Sequence, residues 1–131
     1  MAHFLEHMMY LGSKKFPSKN EFSEFLVNHG SEDDNAYTMD DRTMYYYDIG
    51  DEDLEKSLEL FGALLEAPLL SADGVDHEKQ AVESEYVQSL QSDSNIKEEL
   101  KKHLADPLHP FSQFAMGSLK SFDHPRLHSL V

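Results

Sequence analysis

"AHFLEHMMYLGSKKFP", residues 2 to 17, decides how the rest of the chain is read. Residues 2–11 read as a helix closed by Gly12. Positions i and i+4 of a helix share one face, about a turn apart. His3 and His7 therefore present two imidazoles to one point, and Glu6 sits beside that point rather than on it. Zinc takes neutral imidazole nitrogen at roughly 2.0–2.1 Å, and catalytic zinc uses three protein ligands plus water. Two ligands and one base on a single helix fit that chemistry, in an order mirrored from His-Glu-x-x-His. A solvated helix with an ion-paired polar face can carry the same five residues, so the motif needs support from elsewhere.

With no cysteine, a third ligand has to be Glu, Asp or His. "HEKQAVESEY", residues 77–86, supplies candidates on a second predicted helix over about 75–91. Glu78 and Glu85 are seven apart and share a face, with Val82 between them. Two carboxylates on a partly apolar stripe call for something polar and positive opposite. One would ligate and the other would orient a ligand histidine. Spacing alone does not choose among Glu78, Glu83 and Glu85, because an exposed acidic helix also accounts for them. His124 and His128 read as surface loop, His29 as the end of a helix, and the methionines as core filler.

Composition narrows the classes. The chain has 131 residues, enough for one domain with a core, and a net charge of −14. That charge argues against nucleic acid and anionic membrane partners, which need clustered Lys and Arg. It permits basic ones. No apolar run approaches a membrane span, and no signal peptide is recognisable. These features lead to an expected cytoplasmic location. A candidate ligand at position 3 needs scaffold upstream, so Met1 is expected to be internal to a longer protein.

Further along, Ser18 and Glu21 form a predicted capping box opening a helix through "NEFSEFLVNH", with Phe22, Phe25 and Leu26 as its apolar stripe. "AYTM" and "TMYYYDI" alternate around "DDR" and predict a β-hairpin over about 35–49. "DEDLEKSLELFGALLEA" predicts an amphipathic helix with Leu54, Leu58, Phe61 and Leu65 on one face, stopped by Pro68. Another helix is expected near 94–105. The fold class is α+β: helices packed on a sheet of which one hairpin is present. Two strands do not make a stable sheet alone, so further strands are expected outside residues 1–131.

Several motifs in this order resemble the pitrilysin/insulinase family of zinc metallopeptidases, which includes nardilysin and insulin-degrading enzyme. "AHFLEHMMYLGSKKFP" resembles its active-site helix, "NEFSEFLVNHG" its second helix and "NAYT" its Asn-Ala-x-Thr strand. "AVESEY" resembles its distal glutamate helix, and "HPFSQFAMGS" a downstream segment. "DRTMYYYDI" and "SEYVQSLQSDSNIKEEL" lean toward the nardilysin branch. The resemblance implies part of a catalytic N-terminal domain binding one Zn2+, with ligands His3, His7 and Glu85. It places the catalytic base at Glu6, the additional acidic residue at Glu78, and the edge that holds substrate backbone at Asn35 and Ala36. It implies peptide substrates and further domains of the parent chain, whose second half completes the substrate site. "GSEDDNAYT" departs from the family pattern by extra length and acid, which would favour basic peptides. The other readings are a catalytically silent processing or scaffold relative and an acidic helical interaction module.

Overall fold

The computed structural model describes residues 1–122. His124 and His128 lie outside the described residues. Among the described residues six α-helices and one hairpin follow in the order α1 (Ala2–Met9), α2 (Glu21–Asn28), β1 (Asn35–Thr38), β2 (Thr43–Tyr46), α3 (Leu54–Glu66), α4 (Ala72–Ser89), α5 (Asp93–Leu104) and α6 (Leu119–Phe122), with short 3-10 turns at Asp51–Asp53 and Pro110–Ser112. The result is an α+β arrangement, as expected. No described helix is long and apolar enough to cross a membrane.

α1 ends two residues earlier than expected, with Tyr10 and Leu11 folding back on the His7 and Met8 carbonyls. Gly12 then turns the chain at φ +98°, where the carbonyls of Phe16, Pro17 and Ser18 would lie 3.1–3.2 Å from a Cβ. The loop is closed by Ser13, fully buried, whose Oγ accepts from the Phe16 N–H at 3.0 Å. Backbone bonds from Lys14 to Ala67 and from Leu69 to Gly12 stitch it to the end of α3.

α2 does not use the predicted capping box. Its cap is Asn20 in a left-handed conformation, φ 61°, and Glu21 is the first helical residue rather than the third. Asn tolerates that region, and Glu21 and Glu24 in the first turn complement the helix dipole. The predicted stripe is buried: Phe22 and Leu26 pack on Leu60 and Leu64 of α3, with Phe25 partly covered. His29 closes the helix, its Nδ1 2.7 Å from the Phe25 carbonyl.

α3 buries a different face from the one its spacing predicts. Ser57, Leu60, Ala63 and Leu64 point inward, while Leu54, Leu58 and Leu65 are exposed and only Phe61 contacts the core. Leucines line both sides of this helix, so the period admits two stripes. The Tyr47 hydroxyl, 3.3 Å from Ser57 Oγ, and the T-shaped Phe22–Tyr47 pair mark the side that packs.

The hairpin is antiparallel, pairing Asn35 with Tyr46 and Thr38 with Thr43. It stops short of the expected residue 49 because Asp48 turns away to accept bonds from the Ser31 hydroxyl and the Glu32 and Asp33 N–H groups. Those bonds, led by the one from Asp33, hold the Asp48 carboxyl below its ordinary value.

α4 starts at Ala72, earlier than expected, and runs through Gly74. Gly74 is a contact point rather than a helix breaker: a Cβ there would run into the Leu11 side chain. Its absence lets α4 lie close against the end of α1. Val82, fully buried, and Phe122 both lie against Gly117, and the Phe122 ring packs on Phe4 with centroids 4.9 Å apart.

Candidate metal centre

α1 and α4 meet on their polar faces. The buried residues of α4 are Gly74 and Val82 alone among those described, so its position against α1 depends heavily on polar contacts. His3 and His7 project from α1 one turn apart, their rings edge to face with centroids 4.9 Å apart. Glu85 reaches across from α4, placing Oε2 3.2 Å from His3 Nε2 and Oε1 3.4 Å from His7 Nε2. One ligand atom from each of these three residues lies within 4.8 Å of the other two.

The three glutamates that spacing could not separate have different partners. Glu85 faces the histidines. Glu78 Oε2 lies 3.2 Å from His7 Nδ1. Glu83 turns away and accepts the Leu119 N–H at 2.7 Å, tying the start of α6 to α4.

The partners at Nδ1 set the tautomers. His3 Nδ1 lies 2.6 Å from the Met116 carbonyl, which can only accept, and His7 Nδ1 faces a carboxylate. Both Nδ1 atoms therefore carry the proton. In the neutral rings both Nε2 lone pairs then point at each other across 3.3 Å and at the Glu85 carboxylate. Two bare nitrogens and an anion converge with no donor between them. That donor set fits a divalent cation, with Glu85 on the solvent side, its side chain 46% exposed.

Glu6 occupies the same helix face but is 8% exposed. Thr38 on β1 donates its hydroxyl to Glu6 Oε2, and Thr43 Oγ1 lies 2.9 Å from Thr38 Oγ1. A cleft of about 460 Å³ opens between α1 and β1, lined in part by His3, Glu6, His7, Asn35, Ala36 and Glu85. The Ala36 N–H bonds Asn35 Oδ1 at 2.8 Å rather than β2. Asp34 and Tyr10 also line this cleft. Asp34 Oδ1 is the buried side-chain oxygen without a partner among the described residues. Burial, then the Asp34 charge, pushes the Tyr10 phenol above its ordinary value, so it stays protonated and able to donate. A more apolar cavity of about 700 Å³ adjoins His3 and Thr38 on the other side, between the hairpin turn and α5.

The structure thus brings His3, Glu6, His7, Glu78, Glu85, Asn35 and Ala36 into one region and leaves Glu83 outside it. Sequence reasoning missed Thr38, the Met116 carbonyl, Tyr10 and Asp34. Thr38 lies inside the quoted "NAYT" stretch, and only its place opposite Glu6 gives it meaning. A backbone carbonyl 113 positions from its histidine has no sequence signal at all.

The family model described as Insulinase (Peptidase family M16) matches residues 1–108. The chain belongs to the insulinase family. It is 41% identical over 118 residues to insulin-degrading enzyme of Mus musculus, covering 90% of this chain and 12% of that protein. It is 39% identical over 131 residues to nardilysin of Homo sapiens, covering 99% and 11% respectively. Among solved structures, pitrilysin matches with a TM-score of 0.88 at 31% identity, over 95% of this chain and 13% of that one. The chain therefore spans about an eighth of the length of these insulinase-family relatives. The family is one of metallopeptidases, in keeping with the resemblance of the motifs.

Proposed function

We propose that the protein carrying this segment is a zinc-dependent endopeptidase, with His3, His7 and Glu85 holding one Zn2+ and Glu6 serving as the general base. The observation that carries this reading is the convergence of two lone-pair imidazole nitrogens and a carboxylate beside a separate, buried glutamate. Bound zinc would polarise the scissile carbonyl and acidify the attacking water. Glu6 takes that water's proton and returns it to the departing amine nitrogen. Glu78 and the Met116 carbonyl hold the two imidazoles with Nε2 aimed inward. An extended peptide laid along Asn35 and Ala36 would take the Ala36 N–H from Asn35 Oδ1 and pair as an added strand. The unpartnered Asp34 oxygen in the same cleft, within a chain of charge −14, supports a preference for basic peptides. Further domains of the parent chain are part of this proposal, because the chain covers so little of its relatives.

The test is zinc content and peptide hydrolysis in the full-length protein and its Glu6→Gln form. About one tightly held zinc per site in both, with hydrolysis lost in the variant, is the expected result. Retained turnover in Glu6→Gln would remove the base assignment. Absence of zinc in a folded wild-type protein would remove the metal.

A further inference from the structure

Glu6 has three rotatable side-chain bonds, and among the described residues only one of its oxygens makes a hydrogen bond, to Thr38. A general base has to meet its water within hydrogen-bond reach in a defined direction. Something must therefore hold the carboxylate, and α1 itself offers no donor to it.

We propose that Thr38 is a positioning residue for Glu6, itself set by Thr43, so that the hairpin aims the base; this rests on the peptidase reading. A threonine hydroxyl has one proton to give. Thr38 gives its proton to Glu6, which as a carboxylate can only accept, so the proton between the two threonines comes from Thr43. The order Thr43 to Thr38 to Glu6 is thereby fixed. It binds Oε2 and leaves Oε1 free to meet the water.

The hairpin is built to hold this chain of hydroxyls. Thr38 and Thr43 are directly opposed in the register, which places both side chains on one face of the ladder. Their χ1 angles are stiff because both are β-branched. Immediately beyond the pair, the Met39 N–H bonds the Arg42 carbonyl at 2.7 Å and closes the turn. The turn is in turn pinned to α5 by the buried Lys102, whose Nζ lies 3.0 Å from Asp40 Oδ1. The base therefore takes its direction from an element remote in sequence.

The experiment compares Thr38→Val, Thr38→Ser and Thr43→Val in the full-length protein, with Glu6→Gln as reference. Valine keeps the shape of threonine and removes the hydroxyl, and serine keeps the hydroxyl. Thr38→Val is expected to lower kcat by about 10–100-fold, the scale of a misplaced reacting group. KM and zinc content should stay at wild-type values. Thr38→Ser should restore kcat to within a few-fold, and Thr43→Val should fall between. A crystal structure of Thr38→Val, with zinc removed and with zinc bound, should show the Glu6 carboxylate turned from its wild-type direction. Wild-type kcat in Thr38→Val, a serine variant as impaired as the valine one, or an unmoved Glu6 would each overturn the proposal. Turnover surviving in Glu6→Gln would instead remove the base assignment on which the proposal rests, and the Glu6 orientation would then decide the positioning claim independently.

Discussion

Two of the helix–helix junctions among the described residues are made of different materials. Between α2 and α3 the contact is apolar: Phe22 and Leu26 on Leu60 and Leu64, with aromatic rings of Tyr47 and Phe61 packed around them. Between α1 and α4 it is largely polar: two histidines meet Glu78 and Glu85, and beyond the end of α1 Leu11 lies against Gly74. The first junction gains free energy from area removed from water and tolerates shape changes that preserve volume. The second depends on the direction of each lone pair.

Substitutions can break that contrast, beginning with the largest effect. Glu6→Gln should reduce peptide hydrolysis by at least about 10²–10⁴-fold, the usual range for a general base, while zinc measured by atomic absorption is unchanged. Leu26→Ala should weaken the apolar junction by about 2–5 kcal/mol, read as faster hydrogen exchange of the α2 and α3 amides. If it changed zinc affinity as strongly as it changed exchange, the two junctions would not be separate. Glu78→Gln should lower zinc affinity about 10–100-fold in a chelator competition, as loss of a histidine's orienting partner does. Glu83→Gln should leave that affinity alone, because Glu83 serves α6. Asp34→Asn should narrow any preference for basic over neutral peptides in kcat/KM by a few-fold, since a single partly exposed charge is worth about 1 kcal/mol.

The smallest effect belongs to the surface. Lys15, then Lys56, hold the exposed Glu59 carboxyl down to about 2. A depressed acid contributes its stability above its unfolded value and loses it as pH falls through the folded one. Glu59→Gln should therefore shift acid unfolding only slightly, between about pH 4.5 and 2, and the shift should vanish in high salt.

How much could be read in advance follows the same division. The positions of α1, α2 and the hairpin were legible because period, turn residues and glycine stops act over a few residues. The apolar face of α3 was not, because leucines on both sides leave the choice to Phe22 and Leu26 of α2. Gly74 reads locally as a loop residue, and its purpose exists only once Leu11 is beside it. On α4 the seven-residue spacing proposes Glu78 and Glu85 as partners. It cannot weigh them against Glu83, because that requires the rotation of α4 against α1. Thr38 shows the limit most plainly: its role comes from a hairpin pairing and a helix docking together.

His7 and Glu78 are 71 positions apart, and Glu85 lies farther still. An ion gripped by both helices would close a long loop of chain, much as a disulfide does, but through bonds that protons can undo. Acid or a chelator would then loosen the tertiary structure as well as silence the chemistry, and rebinding the ion would be part of refolding.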